Sequence, residues 1–227
     1  RAERFLRSHR GAGEEWARLA LALRGDGDPS RAAAEILGDG LRDRRGDGSV
    51  GGDVNATALA VLALPRTRQR PCAWLASAQA PGGGFGYRAG IAPDVDSTGL
   101  AAWALAGCGR DAAVARAAGF VRAAQGPSGG FPSMPGGAAN AQSTGLGLLA
   151  LRVAGGGPRS ARTAGGLTPL DYLASLGRRN GSIAYTANAA PTPVWTTAQA
   201  LLGLTAASAL LAPGDVRPIR SRGQTNL

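Results

Sequence analysis

Two carboxylates two residues apart, in Asp94-Val95-Asp96-Ser97-Thr98, are the groups best suited to proton chemistry in this chain of 227 residues. An aspartic acid donates a proton near neutral pH only when burial and a neighbouring negative charge keep it protonated. In this pair either carboxylate, Asp94 or Asp96, could be held protonated by the other. Asp96 is equally suited to cap a helix, its oxygen taking a backbone N–H two or three residues on. Nucleophilic and metal chemistry have less to work with. The single histidine, His9, lies between Arg7 and Arg10 near the start of the chain, poorly placed for a Ser-His-Asp or Cys-His arrangement. Neither Cys72 nor Cys108 has a second cysteine or a histidine at zinc-site spacing, so no metal and no cofactor are expected.

The elements that position these groups must come from an unusual composition. The chain is 44% apolar and 18% charged, and its 36 glycines lack the three-residue period of collagen, so they punctuate turns. A chain of this length buries about 70% of its unfolded surface, enough for a full core. The net charge is +10 and every basic residue is Arg, a positive field that favours anionic partners without selecting one. No recognition helix or interleaving of aromatic and basic residues points to specific nucleic-acid binding. No charged-then-apolar signal segment is visible, and a mature form or a fragment is expected. The apolar run 194–211 is long enough to cross a bilayer, but Thr196, Thr197 and Gln199, with Pro191 and Pro193 ahead of them, favour a buried helix. Association with a membrane surface stays open; a spanning chain is not expected.

That run belongs to a repeat. A shared Thr recurs at Thr57, Thr98, Thr144 and Thr197, preceded two residues earlier by Asn55, Asp96, Gln142 and Trp195. The apolar positions that follow also align: Leu59 and Leu62, Leu100 and Trp103, Leu146 and Leu149, and, with Gln199 in the first place, Leu202. Spacings of 41, 46 and 53 fit arrays of helix pairs, and the Ala- and Leu-rich segments read as helices buried on all sides. A second pattern precedes them: Trp74-Leu75 with Gln79, Gly83 and Phe85, then Phe120-Val121 with Gln125, Gly129 and Phe131. Tyr172-Leu173 with Gly177, Gly181 and Ile183 is a weaker copy, and the first unit keeps only Gly48-Ser49-Val50. These runs read as outer helices with a polar face, closed by glycines and an aromatic that folds back. Thr168 before Pro169 signals an N-cap and first turn, and Asp111 is the expected cap of the preceding outer helix.

The pattern aromatic-Leu, Gln, Gly, aromatic resembles the QW-type repeat of the prenyltransferase and squalene oxidase repeat superfamily, with Phe in place of the usual Trp. The resemblance covers about residues 36–210. It implies an all-α fold, an α/α toroid of about four helix-hairpin repeats, with inner helices around a central cavity and outer helices wrapped on them. The expected units are about 30–66, 71–108, 111–154 and 168–211 within a domain spanning 1–212, and 213–227 forms a flexible tail.

The superfamily's chemistry varies, so the residues must choose. The zinc-binding Asp, Cys and His of protein prenyltransferases have no counterpart, and Cys108 lacks the Gln that a complement-type thioester needs three residues on. The Asp94 to Thr98 segment is similar to the acidic motif of class II terpene cyclases, with Asp96 in the place of the acid and Ser97 where that motif has Asp or Cys. Few aromatic residues are available to line a carbocation cavity. The cobalamin-carrier-like, secreted branch fits the small inner-helix residues Gly99, Gly145, Gly147 and Gly203, which allow close helix contact or leave cavity room. In a helix pair the start of the outer helix and the end of the inner one share a pole, so a Cys72–Cys108 disulfide is geometrically sensible and would imply an oxidising compartment; two inert buried thiols are the alternative.

The other pole carries the Gly-rich connections 81–93 and 126–141 and the inner-helix N-termini. Unpaired N–H groups there, with Arg88, would favour a ligand bearing an anionic group. Phe85, Tyr87, Trp103, Phe131, Met134 and Trp195 are the candidate apolar contacts, with Phe85 and Phe131 alternatively staples that close the turn. The expected function is a non-catalytic, extracytoplasmic module holding an apolar or amphipathic small molecule, isoprenoid-like or cobalamin-like, in the toroid cavity. A class II cyclase or isomerase using Asp96 is the first alternative, and a scaffold without a small ligand the second.

Overall fold

The computed structural model describes residues 46–63 and 69–205. His9, the tail 213–227, residues 30–45 and 64–66 of the expected first unit and residues 206–211 of the expected fourth unit lie outside them. Among the described residues the chain is all-α, with seven helices and only isolated β-bridges between turns. They are α1 (Val54–Ala63), α2 (Gln69–Ser77), α3 (Val95–Ala106), α4 (Asp111–Ala123), α5 (Ala141–Val153), α6 (Pro169–Ser175) and α7 (Pro193–Thr205). No described helix is long and apolar enough to cross a membrane.

Helix starts follow the sequence signals with two displacements. Thr168 caps α6 in a reciprocal box with Asp171, and Pro169 opens the first turn. Helix α3 starts on Asp94, whose carboxylate accepts the Ser97 N–H at 2.6 Å; Asp96 already lies inside the first turn. The cap is thus two residues earlier than the alternative role assigned to Asp96. The expected cap Asp111 is itself helical: the N-cap of α4 is Arg110, whose side chain makes no capping bond. Asp111 instead places its charge in the first turn, where the helix dipole favours it.

Apolar patterning sorts the helices into two sets. The Ala- and Leu-rich helices pack in series, α1 on α3, α3 on α5 and α5 on α7, while α2 sits between α1 and α3, α4 between α3 and α5, and α6 on α5. Glycine decides how closely the inner set approaches. A Cβ on Gly99 would overlap the Leu146 carbonyl, one on Gly145 the Gln199 carbonyl, and one on Gly203 the Gly145 carbonyl. These three therefore serve contact rather than cavity room, and Gly147 lies against the Phe131 ring and Val121. Cys72, near the start of α2, is joined to Cys108, just beyond α3, with Cα atoms 6.1 Å apart, so the disulfide ties the two helices at one pole.

Candidate functional site at the inner-helix faces

The repeated Thr and the residue closing each turn form one device. Phe85 and Phe131 are fully buried, and their N–H groups donate to Thr98 Oγ1 at 2.8 Å and Thr144 Oγ1 at 2.9 Å. Val50 and Ile183 do the same to Thr57 and Thr197. The Thr98 and Thr144 hydroxyls in turn donate to the backbone carbonyls of Asp94 and Asn140, in the helix's preceding turn. Phe85 and Phe131 are therefore staples inside the core. The motif glutamines have a comparable task. Gln79 donates through Nε2 to the carbonyls of Gly83 and Ala113, both at 2.8 Å, joining its own turn to the following outer helix. Gln125 donates likewise to the carbonyls of Gly129 and, at 3.4 Å, of Ala161 in the connection between α5 and α6.

The first N–H groups of α1, α3 and α5 go to protein acceptors. Val54 N–H donates to the Tyr87 carbonyl at 2.7 Å, Val95 N–H to that of Ser133 at 2.8 Å, and Ala141 N–H to that of Tyr185 at 2.9 Å. Each acceptor belongs to the turn of the next repeat. Further N–H groups go to the side chains of Asp53, Asp94 and Asn140. At α1, α3 and α5 these bonds take up N–H groups counted as unpaired in the expectation of an anionic ligand, and the carboxylates of Asp53, Asp94 and Asp96 oppose an anion there.

At about 100° per residue, Asp96, Leu100 and Trp103 share one face of α3, opposite Thr98. The matching positions are Asn55, Leu59 and Leu62 on α1, Gln142, Leu146 and Leu149 on α5, and Trp195, Gln199 and Leu202 on α7. This front face is the one turned away from the staples. Five buried side-chain polar atoms among the described residues lack a hydrogen-bond partner: Asn55 Oδ1, Asp96 Oδ1, Trp103 Nε1, Gln199 Oε1 and Arg152 Nε. The first four fall on the front positions. Buried polar atoms are nearly always paired, so their collection on one register is a feature to be explained. Asn55 and Gln199 were legible only as members of the repeat columns, without a functional signal of their own.

Asp96 is half-buried, and its Oδ2 accepts from the Ser133 hydroxyl at 3.1 Å. Burial raises its pKa above the ordinary carboxylate value, opposed by the Ser143 and Ser133 hydroxyls and reinforced by the charge of Asp94. Burial raises Asp94 too, against hydrogen bonds from Ser97 and the Asp96 backbone. Ser97, the departure from the cyclase-like motif, thus supports the capping carboxylate. Trp103 is 7% exposed, whereas Tyr87, Met134 and Trp195 are 47%, 48% and 43% exposed. The Arg88 guanidinium lies 5.6 Å from the Tyr87 ring centre, a cation–π contact at the turn that covers the α1 start. The candidate apolar residues therefore divide into core staples (Phe85, Phe131), a buried front residue (Trp103) and exposed residues at the turn pole or the start of α7. Among the described residues no group of three His, Cys, Asp or Glu side chains could hold a metal ion.

No protein-family model matches the chain, and no curated protein matches it. Among solved structures, the fold is similar to a crystal structure of a protein from Actinoplanes, with 22% identity and a TM-score of 0.60 over 85% of this chain and 74% of that one. At that identity the likeness concerns fold alone.

Proposed function

We propose that the chain is a QW-type repeat module whose inner helices curve into an α/α toroid and hold an apolar or amphipathic small molecule against their front faces, without catalysis. The observation carrying this reading is the register of Asn55, Asp96, Trp103 and Gln199, whose buried polar atoms have no protein partner. The aliphatic residues between them, Leu59, Leu62, Leu100 and Leu146, supply apolar surface for the ligand body. The disulfide supports an extracytoplasmic setting. Equilibrium binding of squalene, farnesol, a prenyl diphosphate and cobalamin, followed by Trp fluorescence and calorimetry, tests it. Saturable binding of at least one, weakened by Leu100→Asp, is expected; binding of none, or binding indifferent to that change, rejects the reading.

A second reading, a class II terpene-cyclase-like isomerase, draws support from Asp96 alone. It is not the helix cap, its pKa is raised by burial, and one of its oxygens has no partner. Such a carboxyl could protonate an alkene. Squalene converted to a cyclic product by the native chain and not by Asp96→Asn would establish this reading over the first.

A further inference from the structure

The front of α3 carries two unpartnered groups of opposite hydrogen-bonding sense. Asp96 Oδ1 is an acceptor in the first turn, and Trp103 Nε1 is a donor seven residues on, about 10 Å along the helix axis. Both atoms are buried, and the Trp103 side chain as a whole is more than nine-tenths so. Leu100, 9% exposed, lies between them. The stripes of α1 and α7 repeat the acceptor sense through Asn55 Oδ1 and Gln199 Oε1. The first backbone N–H groups of α1, α3 and α5 are held by the carbonyls of Tyr87, Ser133 and Tyr185.

We infer that the ligand is an elongated apolar molecule with a hydroxyl or other donor head at Asp96 and an acceptor oxygen, such as a carbonyl, about 10 Å further along at Trp103. This rests on the binding reading and sharpens it, replacing the anionic head by a donor. An indole has only a donor to offer, so a hydrocarbon or a second donor head at that depth leaves its N–H stranded. A carboxylate at the Asp96 end would face Asp94 and Asp96 without a free backbone donor.

The test uses a ten-carbon methyl ketone with a terminal hydroxyl, the same ketone without the hydroxyl, decanol, decane and decanoate. Each is titrated into the full chain, Trp103→Phe and Asp96→Leu, with a thermal melt confirming that each variant is folded. The hydroxyketone should bind about tenfold more tightly than either singly substituted probe, the size of one good hydrogen bond. Trp103→Phe should abolish the advantage of the carbonyl while keeping that of the hydroxyl, and Asp96→Leu the reverse. A preference for decanoate, equal binding of all five probes, or a carbonyl advantage that survives Trp103→Phe overturns the two-point inference and leaves the binding reading standing. Saturation by none of them, decane included, overturns the two-point inference, and the binding reading falls with it only if squalene, farnesol, the prenyl diphosphate and cobalamin also fail to bind.

Discussion

The two sides of an inner helix are built to different rules. On the back of α3, Thr98 is fully buried, accepts the Phe85 N–H and donates to the Asp94 carbonyl. On the front, Asp96 and Trp103 each bury a polar atom that no protein group meets. The contrast recurs on α1, where Thr57 is satisfied and Asn55 is not. A helix that can satisfy its buried polar groups on one side and leaves them open on the other, in register with its neighbour, has one side committed to folding. The other buries polar atoms that the proposed ligand would meet.

The largest test of that division lies at the seam between the sides. Gly99→Ala puts a methyl group into the Leu146 carbonyl, and backbone atoms on both helices must move. A loss of about 3 kcal/mol is expected, with a Tm lowered by about 10 °C. A neutral result would mean that α3 and α5 do not approach closely, and the shared register of their front faces would lose its basis. Next comes the back itself. Thr144→Val keeps the volume but removes the acceptor of the Phe131 N–H, leaving a buried donor unpaired. About 2 kcal/mol should be lost, read as a fall in the denaturant midpoint at unchanged slope.

How far the amino-acid sequence exposes this arrangement depends on which atoms do the bonding. The Thr column and the Thr168-Pro169 start were legible because side-chain type carries those jobs. The disulfide was legible because Cys72 and Cys108 fall at one pole of a helix pair. The α3 cap was misplaced at Asp96, although Asp53, Asp94 and Asn140, each four residues before a repeated Thr, form the column that does cap. The acceptors at the helix starts were invisible, since the carbonyls of Tyr87, Ser133 and Tyr185 belong to residues with no common side chain. That is why free N–H groups, and an anionic ligand, looked reasonable from the sequence. The unpartnered atoms were beyond reach for a related reason: being unpaired is a property of the surroundings, which one residue's identity does not encode.

An outer helix gives the control for the seam. Gly119 of α4 is exposed, with open space where a Cβ would go. Gly119→Ala should therefore stabilise by about 0.5–1 kcal/mol through helix propensity alone, seen as a higher Tm. A loss comparable to that of Gly99→Ala would show that outer helices are as tightly constrained as inner ones and erase the distinction.

The smallest effect belongs to the front. Asp96 titrates above the ordinary carboxylate value when folded, because burial disfavours its charge. Between the unfolded and folded pKa values the native chain holds a proton that the unfolded chain has released, so stability falls as pH rises through that window. Acidification from neutrality should therefore strengthen the fold until the unfolded pKa is reached, the opposite of Asp171. Hydrogen bonds from Thr168 lower the Asp171 pKa, and its contribution is lost as pH drops through the folded value. Asp96→Asn removes the charge and should raise stability at pH 7 by less than about 1 kcal/mol. The difference between the native and variant melts should shrink as pH falls toward the carboxylate range. A difference that stayed constant with pH would mean that the front carboxylate is solvated like any surface acid. The front would then be no more in need of a partner than the back.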